Sequence, residues 1–481
     1  MQKPFKHQTE ILETSGHLAA YALFLEMGLG KSRIILDNAG RLRAAGEIDA
    51  LVVVAPNGVH RNWVEDELPL WAPAVVDAGW CMAWEAPRAQ TKGHQAQAER
   101  LLKQPYLVLA VSYDAVLTDR LAAYLKRLLR ERRALMVLDE STRIKTPSAQ
   151  RTRRLLTLGQ AAKYRRILTG TPVTNSPLDV YSQIQFLDPR FWEDRGFSTF
   201  TEFQSFFAVV RHMEKVVNDR TQKWDVIVAY QNLQQLNSML APISSRIQSA
   251  EVLDLPPQTY VKRYFEMSPQ QIQAYREMKA HSMALLASGD LVTAQIVLTR
   301  LLRLQQITCN YLPADGQDPD DLQLTQLSAV NPRLECLIEC LEECSHQAII
   351  WARFTEDINQ ICGRLGEACV RYDGRTTSDQ RVLAKNRFQA GDVQWFVANP
   401  AVGATGLTLT AARTVVYYNN SFKLEDRLQS EKRAHRAGQQ HPVNYIDILA
   451  PRTIDVKVLD ALRAKKQIAA VVTGDNFEEW V

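Results

Sequence analysis

The sequence predicts an α/β protein of two doubly wound parallel-sheet lobes with helical insertions. Two observations predict it. Short apolar runs alternate with helical stretches from residue 20 to 185, and the same alternation returns from residue 348. Between them lies a stretch of different texture, rich in aromatic, Gln and Leu residues. At 481 residues the chain is too long for one core, so two or three domains are expected.

The elements follow in order. The N-terminus, Met1 to Gln8, has no apolar signal core, and no apolar run is long enough to span a bilayer. A cytoplasmic protein is expected, or a nuclear one if the host has a nucleus, with no membrane partner. Leu51–Ala55, Tyr106–Val111, Leu135–Leu138 and Arg166–Thr169 read as buried parallel strands, separated by helical stretches such as Leu121–Arg132. Phe186–Phe207 and Gln231–Leu240 read as helices, and Leu255-Pro256-Pro257 is a break. Ser268–Ser288 and Leu291–Gln306 are helical again. Ala314–Asp321 is acidic and turn-rich, an exposed loop by composition. In the second lobe, Ala348–Trp351, Cys369–Tyr372, Trp395–Ala398, Thr414–Tyr418 and Asn444–Leu449 are strand candidates, and a last helix begins near Thr453. The lobes are expected at residues 1–245, with a helical insertion at about 186–245, and 246–481, with one at about 268–330.

Charge and cysteine bound the chemistry. The net charge of +4, from 57 basic and 53 acidic residues, is too mild to demonstrate nucleic-acid binding. Two local clusters say more: Lys126–Arg133, and the looser set Arg151, Arg153, Arg154, Lys163, Arg165 and Arg166. Solvated helix faces explain either alone, whereas beside a nucleic-acid-binding core they become candidate phosphate contacts. Seven cysteines without a CxxC pair fit a reducing compartment. Cys336, Cys340 and Cys344 share a helical face, but no histidine pair completes a zinc site, so packing into a helix contact is expected.

Met27-Gly28-Leu29-Gly30-Lys31-Ser32 has the chemistry of a phosphate loop. The strict pattern places Gly five residues before Gly30, where Leu25 stands. Gly28 and Gly30 still allow close backbone approach, Lys31 supplies a point charge, and Ser32 can place a hydroxyl on Mg²⁺. Asp139-Glu140 closes an apolar run about a hundred residues later. Asp139 suits the metal, and Glu140 the attacking water. Thr169-Gly170-Thr171 suits a tight loop that senses a neighbouring carboxylate. Near the end, Gln429 to Gln439 offers Arg433 and Arg436, which could meet the same phosphates from another domain.

The ordered set resembles the Swi/Snf-type ATPases of the second helicase-like superfamily, over nearly the whole length. Phe5-Lys6-His7-Gln8 resembles that family's adenine-reading motif, with Gln8 as reader. Glu26 to Ser32 is close to its phosphate loop, and Thr169 to Asn175 is nearly the family consensus. Val54-Ala55-Pro56-Asn57, Asn62-Trp63 and Val111-Ser112-Tyr113-Asp114 resemble strand-tracking segments. Phe186–Pro189, Leu302–Asn310, Asp373-Gly374 with Arg381, and Gly403–Thr410 also fit. The resemblance implies two RecA-like lobes, ATP and Mg²⁺ as cofactors, and double-stranded DNA as partner, touched through its backbone. It implies catalytic roles for Lys31, Asp139, Glu140, Arg433 and Arg436, with Ser32 and Asp139 on the metal. Gln8, Met27, Gly28, Leu29, Gly30, Lys31, Ser32 and Gly406 would hold the nucleotide, and Thr169, Gly170, Thr171 and Gln429 would couple the sites. Asn57, Ser112, Tyr113, Lys145, Thr405 and Thr408 are the DNA candidates; Trp63 and Trp351 are expected in cores rather than on bases.

Two departures stand out. Thr142 replaces the family's histidine after the catalytic Glu, which bears on coupling, and Lys432 replaces the acid before the first motif arginine. The expected activity is a DNA-dependent ATPase translocating on duplex DNA, in a compact bacterial or phage-like form. The alternatives are a strand-separating DNA or RNA helicase, and an ATP-gated DNA clamp with little turnover.

Overall fold

Alternating apolar residues become the two faces of two separate parallel sheets. The computed structural model describes residues 3–217, 220–288, 294–313, 324–403 and 407–475. Two compact units emerge. Unit 1 holds the chain up to Val210, then Ile227–Asp254, and a C-terminal return beginning at Gln467; unit 2 holds Arg211–Val226 and Leu255–Lys466.

In unit 1, β1 (Ala20–Leu25), β2 (Ala50–Ala55), β3 (Cys81–Ala83), β4 (Leu107–Ser112), β5 (Ala134–Asp139) and β6 (Tyr164–Leu168) alternate with helices. A two-stranded ribbon follows, β7 (Ala208–Val217) with β8 (Arg220–Tyr230), whose stretch Arg211–Val226 groups with unit 2, and then, back in unit 1, β9 (Ser244–Ile247). The seven-stranded sheet runs β3-β4-β2-β5-β6-β1-β9, parallel throughout. Because side chains alternate across a strand, Val52, Val54, Leu109 and Leu138 face one core layer, and Leu51, Val53, Val108 and Val137 the other. Every residue of β2 is buried, which accounts for its unbroken apolar run.

In unit 2, β10 (Gln258–Tyr264) precedes a small pair, β11 (Tyr311–Pro313) and β12 (Leu324–Gln326). Then come β13 (Ala348–Trp351), β14 (Cys369–Tyr372), β15 (Trp395–Ala398), β16 (Thr414–Tyr417) and β17 (Val443–Leu449). Their sheet runs β10-β17-β16-β13-β15-β14, again parallel. Cys336 and Cys340, on the helix Pro332–Glu342, are packed into its core. The stretch Leu302–Asn310 is the seam between the helix Ala294–Thr308 and that sheet. Gln305 Nε2 donates to Asn420 O at 2.8 Å, and fully buried Arg333 donates to Thr308 O at 3.2 Å and pairs with Asp455. Beside it, Asn419 donates to the buried Asp357 carboxylate at 2.5 Å.

Several expectations need correction. The boundary placed between 245 and 246 falls inside β9, a strand bonded to β1, so the first unit runs on to Asp254. The insertion expected to be helical at 186–245 does contain the helices Phe200–Phe207 and Leu233–Leu240, but the ribbon β7–β8 lies between them. The acidic stretch Ala314–Asp321 and residues 291–293 of the expected second-unit helix lie outside the described residues. No described helix is long and apolar enough to cross a membrane.

Candidate active site

β1 ends at Leu25, and α2 (Lys31–Ala44) begins after five intervening residues. The turn needs left-handed backbone at Gly28 (φ 84°) and Gly30 (φ 75°), which glycine adopts without steric cost. A Cβ on Gly30 would lie 2.2 Å from Gln8 Nε2, whereas nothing stands within 4 Å of one on Gly28. The loop is therefore closed at Gly30 and open at Gly28, beneath the N-terminus of α2, where unbonded amides favour an anion. Lys31 Nζ donates to Leu25 O at 2.9 Å and to Glu26 O at 3.3 Å. Burial lowers its pKa, against the pull of the Glu140 and Asp139 carboxylates.

Gln8 lies on α1 (Lys6–Ser15) and is 2% exposed. Its Oε1 accepts from Phe5 N at 3.0 Å, and its Nε2 donates to Leu29 O at 3.1 Å. His7 Nε2 meets the same carbonyl at 3.0 Å. The glutamine expected to read a base is thus tied directly to Met27–Gly30 through Leu29.

β5 delivers the acidic pair. Asp139 Oδ2 accepts from Trp63 Nε1 at 2.9 Å, and Asp139 O accepts from the Tyr113 hydroxyl at 2.9 Å. Desolvation raises the Asp139 pKa, opposed by the Trp63 bond and by Lys31. Glu140 follows in left-handed backbone (φ 53°), a strain on the order of 1–3 kcal/mol for a non-glycine residue. Its Oε2 accepts from Thr169 Oγ1 at 3.2 Å, and Thr169 Oγ1 accepts from Thr171 N at 3.1 Å. The Thr169–Thr171 loop and the Glu140 carboxylate are thus in contact. A Cβ on Gly170 would lie 3.3 Å from Leu25 O, so that loop also abuts the entry to the phosphate loop.

Glu67 lies close to the Ser32 hydroxyl and near enough to Asp139 for their charges to interact. A hydroxyl and two carboxylates form a hard oxygen donor set, which fits Mg²⁺.

In unit 2, the helix Leu424–Ala434 carries the arginine motif. Its base is fixed by buried Arg427, which donates to Glu431 at 2.6 Å and to Asp447 at 2.5 Å. Arg433 and Arg436 both donate to Leu407 O, at 2.9 and 3.0 Å, so the two guanidinium groups are neighbours. Arg433 Nε also donates to Gln429 O at 3.1 Å. Gln429 itself is buried, with its amide on Glu425 at 3.3 Å. Thr408 is half-buried, and Thr405 and Gly406 lie outside the described residues.

The DNA candidates divide. Asn57 is exposed just beyond β2, and Lys145 donates to Thr174 Oγ1 at 2.7 Å on a groove that also holds Arg153. Ser112 and Tyr113 are corrections. Both are buried, the first capping Ala115 N at 3.2 Å and the second bonded to Asp139, so neither offers a surface to a phosphate. Most of the basic clusters are also engaged within the chain. Arg127 pairs with Glu99, Arg151 with Asp114, Arg154 with Asp119 and Lys163 with Glu47, and buried Arg166 donates to the carbonyls of Ser15, Gly16 and Leu18. Thr142 is buried, and its hydroxyl has no hydrogen-bond partner among the described residues.

Sequence reasoning missed three contributors. Trp63 was assigned to the core, which it occupies, but its indole also reaches Asp139. Glu67 and Arg246 were not singled out. Arg246 donates to Phe24 O and Gly170 O, each at 3.0 Å, and to Asp475. The available signal was faint: Trp63, Glu67 and Trp71 recur every four residues after β2.

Comparison with known proteins bears on the same residues. A family model described as the SNF2-related domain matches residues 15–312, more than half the chain, and one described as the helicase conserved C-terminal domain matches residues 332–438. A chromodomain-helicase-DNA-binding protein 1-like of Danio rerio is 25% identical over 464 residues, covering 94% of this chain and 42% of that protein. The ISWI chromatin-remodeling complex ATPase ISW1 of Saccharomyces cerevisiae is 25% identical over 465 residues, covering 94% and 38%. The chain thus spans less than half the length of these relatives. The solved SWI2/SNF2 ATPase core of Sulfolobus solfataricus in complex with dsDNA aligns over 98% of this chain and 94% of that one, at 21% identity and a TM-score of 0.42.

Proposed function

The chain belongs to the SNF2-related family, and on that premise we propose that it is a DNA-dependent ATPase that couples ATP hydrolysis to translocation along double-stranded DNA, remodelling protein–DNA complexes or DNA structures. One observation supports this above the others: the Thr169 hydroxyl rests on the Glu140 carboxylate while Gly170 abuts the phosphate loop. A base bonded to a loop in this way can report its own state along the chain, as a motor requires.

The residues take these roles. Lys31 and the amides at the start of α2 hold the ATP phosphates, and Gln8 reads the adenine. Ser32 and Asp139 hold Mg²⁺, which when bound neutralises charge on the transferred phosphoryl group. Glu140 orients the attacking water and receives its proton. Arg433 and Arg436 meet the transition-state charge, a role typically worth about 10³–10⁵ in rate. Asn57, Lys145, Thr405 and Thr408 touch the DNA backbone, without reading sequence. Such a protein works in the cytoplasm of a cell without a nucleus, and in the nucleus of one that has it.

The test compares ATP hydrolysis with duplex DNA, single-stranded DNA and RNA, alongside displacement of a third strand from a triplex. Duplex DNA is expected to stimulate most, and the third strand to be displaced without separation of the duplex. Lys31→Ala and Glu140→Gln are each expected to lower the stimulated rate by about a hundredfold or more. Undiminished DNA-stimulated hydrolysis in either variant overturns the proposal. Strand separation would instead indicate a helicase, and ATP-dependent DNA retention with negligible phosphate release a clamp.

A further inference from the structure

The chain after β2 forms one short helical run with a fault in it. Val59–Asn62 is α-helical, Trp63–Glu67 is a π-helical turn, and Leu68–Trp71 is α-helical again. Leu68 N donates to Trp63 O, the five-residue closure that defines a π turn. One residue is therefore accommodated beyond the α repeat, which rotates everything after it by about 100° relative to a continuous helix. Both ends of the fault point at metal ligands. At its start, Trp63 donates its indole N–H to Asp139 Oδ2 at 2.9 Å. At its end, Glu67 lies close to the Ser32 hydroxyl.

Both residues are themselves held. Trp63 is 2% exposed. Glu67 Oε2 accepts from Trp71 Nε1 at 3.1 Å, and the Trp71 ring lies under the Arg33 guanidinium at 4.2 Å, on α2 beside Ser32. The π turn, the phosphate-loop helix and β5 are thereby bonded around one point. A carboxylate placed against a metal-ligating hydroxyl and near a second carboxylate is unfavourable unless a cation lies between them.

We propose that Trp63 and Glu67 are positioning residues for the divalent cation: Trp63 fixes the rotation of the Asp139 carboxylate, leaving Oδ1 to the ion, and Glu67 orients the Ser32 hydroxyl and accepts a hydrogen bond from the ion's hydration shell. This rests on the nucleotide reading above. Partners behind metal ligands commonly alter metal affinity by about 10–100-fold when removed.

The test uses Glu67→Gln and Trp63→Phe in the full chain. Gln keeps the shape of Glu and can still accept from Trp71 and Ser32, so a purely structural role survives it and a charge-dependent one does not. Mn²⁺ binding is followed by electron paramagnetic resonance in the presence of a non-hydrolysable ATP analogue, with fluorescent-nucleotide binding in excess chelator and thermal melting as controls. Both variants are expected to weaken Mn²⁺ binding by about tenfold, with chelator-insensitive nucleotide affinity and melting temperature close to the parent. Mn²⁺ affinity within twofold of the parent in folded Glu67→Gln overturns the proposal for Glu67, and the same in Trp63→Phe overturns it for Trp63. Parent protein that binds no metal–nucleotide at all overturns the functional reading itself, a separate outcome.

Discussion

Asp357 is a single residue whose energetics differ with pH. It is fully buried in unit 2, and desolvation pushes its carboxyl up to about 7, despite the Asn419 bond and nearby Arg333. In the unfolded chain it titrates near about 4. Between these values the folded chain takes up a proton that the unfolded chain does not. Stability contributed by that proton is therefore present at low pH and is lost as pH rises through about 7. Asp357→Asn removes the titration while keeping an acceptor for Asn419. We expect the variant to melt several degrees above the parent at pH 8 and the gap to narrow markedly by pH 5; an equal gap at both values refutes the account. Thr142 makes a different point at this scale. The sequence marks it as a departure from its family, and the structure shows a buried hydroxyl without a hydrogen-bond partner among the described residues, while the Thr169–Glu140 bond joins that carboxylate and the loop directly.

At the scale of elements, β9 shows how an edge strand serves the site. Its Arg246 holds the carbonyls of Phe24 and Gly170, and Asp475 grips the other side of the same guanidinium at 2.6 Å. Arg246→Met leaves both carbonyls without this donor and is expected to lower the ATPase rate by about tenfold, where loss of Asp475 (Asp475→Asn) costs less. A double-mutant cycle measures the link, and strict additivity would show that the Asp475 contact is incidental. Edge elements of this kind were the hardest to read. The central strands β13 and β15 coincide with their expected bounds because both faces are buried and the apolar run has no gap. β9 is Ser-Ser-Arg-Ile and only half-buried, and β10 interleaves Lys262 and Arg263 with its apolar residues, so neither shows such a run. Among the described residues the ribbon β7–β8 pairs only with itself, which removes the core face that would impose alternation. The site divides likewise. Lys31, Asp139, Glu140 and Thr169 stand where strands end in turns, a position that composition announces. Ser112 and Tyr113 stand in a similar turn but fold inward, and Glu67 acquires its role only through a contact with Ser32 across the fold.

Considered whole, the molecule is two parallel-sheet units on a chain of small net charge, +4. Its grip on DNA is expected to come from few, local phosphate contacts rather than a broad basic face. For about four such contacts, the duplex concentration needed for half-maximal ATPase stimulation should rise about a hundredfold between 50 and 200 mM salt, with the saturated rate little changed. A salt-independent value would rule out backbone recognition. The parallel sheet of unit 2 has one more consequence, for its biosynthesis. β10 pairs along its whole length with β17, and the paired residues Thr259 and Asn444 are separated by 185 positions. At about 5–20 residues per second, the earlier strand leaves the ribosome roughly 10–40 s before its mate exists. Through that wait its bare edge is open to the wrong neighbour, and Lys262 and Arg263 act as gatekeepers on the nascent chain.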